Sequence, residues 1–557
     1  MYKDQLEKDI KEFLKIESVE IKTQVVYSDY EDFHYQSPIL FALKKKFPDF
    51  SNDKLIEYLM KTGNYEKVEI TGNNFLSVKF KLSHQKQETN IPQTVLVDYC
   101  GVNVAKQMHI GHIRSMFIGD FITRIHEAIG DKVIIQNHIG DWGNQFGFLL
   151  NYIKTNNLEE DLDNKKLTQY YKLAYELNSK DEVFAKDSAK VAYQLQNKLD
   201  TNLVNLWQKL VNISMIEAEK TFEEFNLKMD ISHTRGESFY APMCKDIITD
   251  LLNKNIATKD VDGSVLVFFD NKSPLILQKS NGNYLYGVYD IAAIKWRVEN
   301  YNPDKILYVV DKRQALHFEQ VFSIAQKANY VSEKNELIHV GFGTILGKDK
   351  KPLKTKSGQS LYLDDLLIEG KNILLQDKHF EVMNNSYKEE VLNKTIIGGM
   401  KYYDLKFGKQ QDYIFDWEHV LNFTGGSAPY IQNAIVRIDS IFYKKWQDNY
   451  QEEAINWSFD WNADEKEIIF NCQKTIEIIK DLSSQYMSQQ LATQMIKMCQ
   501  LFHKYYEKEK VLGSSKESEK LQLLSLVKNT LIKACDIMGI EIYPCQQKLE
   551  KKGKIKP

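Results

Sequence analysis

The stretch Val95–Arg114, VLVDYCGVNVAKQMHIGHIR, constrains this 557-residue chain more than any other. The apolar run Val95–Val97 reads as a strand, the polar residues after it as a loop, and His109-Ile110-Gly111-His112 as the opening of a helix. Strand, glycine-containing turn and helix N-terminus together describe a phosphate site in an α/β sheet. The two imidazoles stand at i and i+3, so they project from one side of the first turn. Gly111 between them leaves room for a nucleotide to press against the backbone. Two histidines aimed at one phosphate make a clamp for the charge that develops when phosphorus is attacked. Taken alone, the tetrapeptide is equally compatible with histidines that only cap a helix.

The flanking sequence decides between these. Asn103, Lys106, Met108, Arg114 and Gly119-Asp120 extend the pattern, and Asn137–Gly147, NHIGDWGNQFG, follows it. On these residues the chain resembles the arginyl-tRNA synthetase family, within class I of the aminoacyl-tRNA synthetases. The resemblance covers nearly the whole chain. It implies an α/β fold: a Rossmann-like parallel-sheet catalytic domain with a helical insertion, a small α/β N-terminal domain and an all-helical C-terminal domain. It also implies activation of L-arginine with ATP, with Mg²⁺ bound to that substrate, and transfer of the arginyl group to the 3′ end of tRNA(Arg). Adenylate formation is expected to need bound tRNA, and the protein is expected to be a monomer. Two other functions are weighed against this one. A nucleotidylyl transferase that shares the HIGH fold but serves no tRNA has no use for a large helical C-terminal domain. A catalytically silent tRNA- or arginine-binding paralogue has no need of intact His109, Gly111, His112 and Asp290.

Composition sets the outer limits. The length suits about three or four domains, and 43% hydrophobic with 12% aromatic residues fits a globular protein with real cores. No apolar run approaches the ~18 residues of a membrane span, and the N-terminus lacks a signal-peptide core, so the cytoplasm is expected and a membrane is not. Six cysteines (Cys100, Cys244, Cys472, Cys499, Cys535, Cys545) form no Cys-x-x-Cys pair, which argues against a disulfide framework and a zinc site. A net charge of −3 leaves nucleic-acid binding to a local basic face. Five lysines crowd Lys548–Lys556, read as a solvated tail.

Residues 1–88 read as the α/β module, with Tyr65–Leu82 as paired strands about the turn Gly72-Asn73-Asn74 and a linker at Gln85–Pro92. Residues 89–420 carry the catalytic domain, interrupted at about 150–228 by helices on which Leu203, Leu206, Trp207, Leu210 and Ile213 form a core stripe. Residues 421–557 read as helical: Leu491, Met495, Met498, Phe502 and Tyr505 keep a helical rhythm, and Leu521–Met538 ends at Gly539.

Adenylate chemistry needs cations and donors already in place around phosphate. His109, Gly111 and His112 supply donors and room, and Lys106 adds an ammonium. The family's second cationic loop corresponds to Leu346–Gly358, LGKDKKPLKTKSG, where Lys354 and Lys356, with Ser357, are the expected phosphate ligands. A guanidinium is planar and permanently charged, so it asks for carboxylates placed to meet its fork. By resemblance the arginine site comprises Asn103, Glu237, Tyr286, Asp290 and Gln320. Spacing alone does not identify that pocket. Also by resemblance, Gln36 of the N-terminal domain and Tyr430, in NFTGGSAPYIQNAIVR, contact tRNA, the tyrosine by stacking on a base. The second tyrosine frequent three residues later in the family is Asn433 here.

Overall fold

Tyr2, Leu6, Ile10, Phe13 and Leu14 share one face of the helix Tyr2–Ile16 and are all buried. They meet Tyr65, Leu76, Val78 and Phe80 of an antiparallel sheet in a single core. Four strands run in the order Val26–Tyr27, Tyr35–Ser37, Phe75–Phe80, Tyr65–Thr71. The expected hairpin is present, with Thr71 opposite Phe75 and both Gly72 and Asn74 at positive φ. The computed structural model describes residues 1–28, 30, 32–83, 91–353, 361–377, 380, 383, 385–447 and 454–545. Most of the linker expected at Gln85–Pro92 lies outside them, as does the lysine-rich tail. Met1–Asn90, Asn449–Asp481 and Gln500–Thr530 make one compact unit; Ile91–Asp448, Leu482–Cys499 and Leu531–Pro557 make the other.

The second unit is built on five parallel strands: β1 (Thr94–Asp98), β2 (Lys132–Ile139), β3 (Thr234–Gly236), β4 (Lys305–Tyr308) and β5 (Glu336–His339). Their order is β5-β4-β1-β2-β3, every pairing parallel. Val95, Leu96, Val97, Ile306 and Leu307 are fully buried, as a sheet covered on both faces requires. The chain winds outward from β1 through β2 to β3, then returns to lay β4 on the other side of β1. That reversal opens a crevice at the carboxyl ends of β1 and β4, where ligands of such sheets bind.

Helices α1 (Ile113–Ala128), α2 (Asn164–Lys180), α3 (Thr201–Glu224), α4 (Tyr286–Tyr301), α5 (Ala315–Lys327) and α6 (Asn385–Leu405) frame that crevice and its insertion. The expected α3 stripe is buried at Leu203, Leu206, Trp207 and Leu210, while Ile213 is only half-buried and Val211, Ser214 and Met215 take its place. Trp207 also donates from Nε1 to the Asp141 carbonyl at 2.7 Å. The C-terminal segment is helical over Ala428–Trp446, Ala463–Gln485, Ser488–Lys508 and Glu517–Ile537. Leu491, Met495, Met498, Phe502 and Tyr505 are buried as their spacing requires, and Gly539 sits at φ +65° just past the last helix. All six cysteines are buried and unpaired.

Two buried ion pairs tie α1 to α6. Arg114 Nε lies 3.1 Å from Asp404 Oδ1, both side chains essentially without exposure, and Tyr413 donates to the same oxygen at 2.8 Å. Further along, Lys401 lies 3.4 Å from Asp120, which Arg124 also holds at 2.8 Å. Lys401 and Asp404 are i and i+3 on α6, so the pairs fix the register of one helix on the other.

Candidate active site

The loop from β1 into α1 runs through two non-glycine residues in the left-handed region, Cys100 (φ +80°) and Ala105 (φ +61°), each costing about 1–2 kcal/mol. Side chains from three elements hold it there. Ser115 Oγ accepts from the Cys100 N–H and Ser214 Oγ from the Ala105 N–H, both at 2.9 Å. Asn137 Oδ1 accepts from Gly101 at 3.1 Å. Strain maintained by surrounding structure is typical of a ligand site.

The loop delivers the two histidines. Ile110–His112 forms a single 3₁₀ turn ahead of α1, and His109 is its N-cap. His109 Nδ1 accepts from the Gly111 N–H at 3.0 Å, so the neutral ring carries its proton on Nε2. A Cβ on residue 111 would lie 2.7 Å from His109 Cε1. Gly111 is thus required first by the folded-over imidazole. His112 Nδ1 stands 3.1 Å from the His109 backbone N–H, and its Nε2 stands 3.3 Å from the Asn103 amide. The two ring centroids are 4.2 Å apart. Burial, then the charge at Lys106, lowers His109. Burial, then His109, pushes His112 down to about 3. Both rings are therefore neutral near pH 7 and can donate without adding charge.

These residues line a cavity of about 500 Å³ at the ends of β1 and β4, together with Asn103, Glu237, Tyr286 and Asp290. That volume is in the range of small-ligand sites. Glu237 follows β3 and is buried; Tyr286 and Asp290 lie one turn apart on α4. Beneath them, Asp98 at the end of β1 is paired with the fully buried Arg297 at 2.8 Å. Burial, then the Asp290 and Asp141 carboxylates, raises Glu237 to about 8. A pair of carboxylates that resist sharing negative charge is prepared for a cation.

Two residues expected at this site, Gln320 and Lys106, do not line the cavity. Gln320 is buried on α5 and donates to the Ser273 carbonyl at 2.6 Å, so its amide is committed to a neighbouring strand and does not line the cavity. Lys106 also stands outside the lining; its Nζ lies 4.1 Å over the ring of Tyr171 on α2, and burial lowers its pKa. Gln36 is buried in the strand Tyr35–Ser37, which leaves little of it exposed for a tRNA contact. Tyr430 is half-buried on the first turn of Ala428–Trp446. Lys354, Lys356 and Ser357 lie outside the described residues.

The cavity also contains a residue the sequence reading passed over. His317, three positions before Gln320, points Nε2 at Asp290 Oδ2, 2.6 Å away. The sequence signal was its place one helical turn from a residue already singled out. Ser115 and Ser214 offered none.

Comparison with known proteins agrees with this geometry. The model for class I (R) tRNA synthetase catalytic domains matches residues 73–417, and that for the DALR anticodon binding domain matches 431–544. The arginine–tRNA ligase of Pasteurella multocida is 34% identical over 541 residues, 91% of this chain and 95% of that protein. That of Haemophilus ducreyi is 33% identical over 539 residues, with the same two coverages. The solved arginyl-tRNA synthetase of Plasmodium falciparum superposes with a TM-score of 0.80 at 28% identity, covering 98% of this chain and 99% of that one. The Thermus thermophilus enzyme shares the fold at a TM-score of 0.79 and 20% identity. With the HIGH turn, the crevice and two carboxylates in one cavity, and with relatives that match it nearly end to end, the chain belongs to the arginine–tRNA ligase family of class I aminoacyl-tRNA synthetases.

Proposed function

We infer that this chain joins L-arginine to tRNA(Arg) in two steps, with ATP as its Mg²⁺ complex as the first substrate. The observation that carries this is the junction, in one cavity, of a neutral histidine pair at a helix start with two carboxylates opposed to sharing charge. In the first step the arginine carboxylate attacks the α-phosphorus of ATP, the bond to pyrophosphate breaks, and arginyl-adenylate forms. The Nε2–H of His109 is proposed to meet phosphate oxygens as their charge shifts, with His112 acting beside it. Lys106, Lys354, Lys356 and Ser357 are proposed to receive the departing pyrophosphate. This role requires Lys106 to leave the Tyr171 ring. Asp290, Glu237 and Tyr286 are proposed to read the guanidinium, and Asn103 the α-ammonium or carboxylate. In the second step a ribose hydroxyl of the terminal adenosine takes the arginyl group and AMP departs. Residues 89–420 carry the chemistry in this proposal, with tRNA held by 1–88 and 421–557. The support for the latter is the anticodon-domain match over 431–544. A cytoplasmic monomer is proposed on the family resemblance. No helix among the described residues is long and apolar enough to cross a membrane. The test is charging of total tRNA with labelled arginine: acid-precipitable label is expected only when ATP is present, and its absence overturns the proposal.

The Glu237 carboxyl gives a pH prediction. Its pKa of about 8 in the empty site means that it holds a proton near pH 7, whereas a bound guanidinium favours the carboxylate. Arginine should therefore expel close to one proton near pH 7, and its affinity should rise with pH until about 8 and then level. Calorimetry in buffers of different ionisation heat measures this, and Glu237→Gln should abolish the release. The sign for stability is opposite. A folded-state pKa raised above the unfolded ~4.3 makes the empty protein less stable as pH rises through that interval.

A further inference from the structure

The contact between His317 and Asp290 joins two helices at the cavity, and the scheme above gives His317 no part. His317 stands on the first turn of α5, behind the 3₁₀ turn Lys312–Gln314 that Asp311 caps. Its ring packs edge-on against Phe318, 5.4 Å between centroids. From there Nε2 reaches Asp290 Oδ2 at 2.6 Å, with the two side chains 25% and 18% exposed. Both line the cavity. A guanidinium fork needs a carboxylate held in one plane, and an aspartate that can turn about two side-chain bonds does not hold that plane unaided.

We propose that His317 is a positioning residue for arginine selection, orienting the Asp290 carboxylate through the contact from its Nε2. This rests on the reading of Asp290 as the guanidinium group's partner. The ring donates from Nε2 to Oδ2, which leaves Oδ1 and the second lone pair of Oδ2 for the substrate. Charged or titratable groups on the same cavity include Glu237, Tyr286, Tyr308, Asp311 and Arg313, with Asp98, Tyr99, Cys100, His109, His112 and His138 also lining it; Tyr308 is raised by burial first and in part by the Asp290 charge. Arg313 is already tied to Asp311 through Nε and Nη2 at 2.9 and 2.6 Å.

The experiment measures KM for arginine and kcat in ATP–pyrophosphate exchange with tRNA(Arg) present. It compares the parent with His317→Gln, His317→Leu and Asp290→Asn. Gln keeps a donor at the position of Nε2. His317→Leu is expected to raise KM for arginine about tenfold or more, with kcat within about threefold and KM for ATP unchanged. His317→Gln is expected to stay within about threefold of the parent, a rescue that a merely structural role for the ring would not give. An unchanged KM in His317→Leu overturns the proposal, as does a Gln variant whose KM rises as far as that of the Leu variant. If Asp290→Asn raises KM while His317→Leu does not, only the role of His317 falls. If Asp290→Asn leaves KM unchanged, the guanidinium reading falls with it.

Discussion

Asp290→Asn is expected to weaken arginine binding by between about thirty-fold and a few thousand-fold, because losing one member of a partly desolvated charge pair costs roughly 2–5 kcal/mol. The substitution keeps the size of the side chain and can still accept from His317 through Oδ1, so the cavity should survive it. KM for ATP should barely move. Citrulline, which has the shape of arginine without the charge, should be refused by the parent and refused less sharply by the variant. Lysine should be refused by both, since an ammonium lacks the planar fork. The measured quantity is the arginine-to-citrulline ratio of kcat/KM. A variant that keeps the parent's ratio shows that Asp290 does not read the guanidinium.

The second large effect concerns stability. Asp404→Asn leaves the Arg114 guanidinium buried without its carboxylate, which costs about 3–5 kcal/mol. The urea midpoint should fall accordingly, with the slope of the transition unchanged. Replacing both partners, Arg114→Met with Asp404→Leu, should recover most of the loss, since a buried pair exchanged for apolar groups of similar volume is close to neutral. Additive losses in the double variant would mean that the two residues stabilise the fold through separate contacts. The cost is tied to function because Arg114 follows the HIGH turn by two residues, and the pair fixes α1 on α6.

The parts legible in the sequence are those with a local physical signature. Val95–Val97 is a central parallel strand because an apolar run of that length has to be buried on both faces. The helical stretches of the insertion and of the C-terminal segment follow from spacing, as the burial of Leu491, Met495 and Phe502 shows. Residues whose roles depend on a distant partner gave no such signature. Lys401 and Asp404, three apart on a helix, look like a solvated face, yet both are buried against α1. His317 and Gln320 are also three apart, and nothing in the sequence tells the one on the cavity from the one whose amide is committed to Ser273. Gln36 sits in a short strand whose three residues are all buried, a pattern with no alternation to announce it. Lys106 was read from its distance to His109 along the chain, whereas Tyr171 reaches it from a helix 65 positions later.

The central claim is that a single cavity activates arginine and no other amino acid. ATP–pyrophosphate exchange, run with each common amino acid in turn and with or without tRNA(Arg), tests it most directly. Exchange is expected with arginine alone and only when tRNA is present. Exchange at a comparable rate with any other amino acid, or none with arginine and tRNA together, contradicts it.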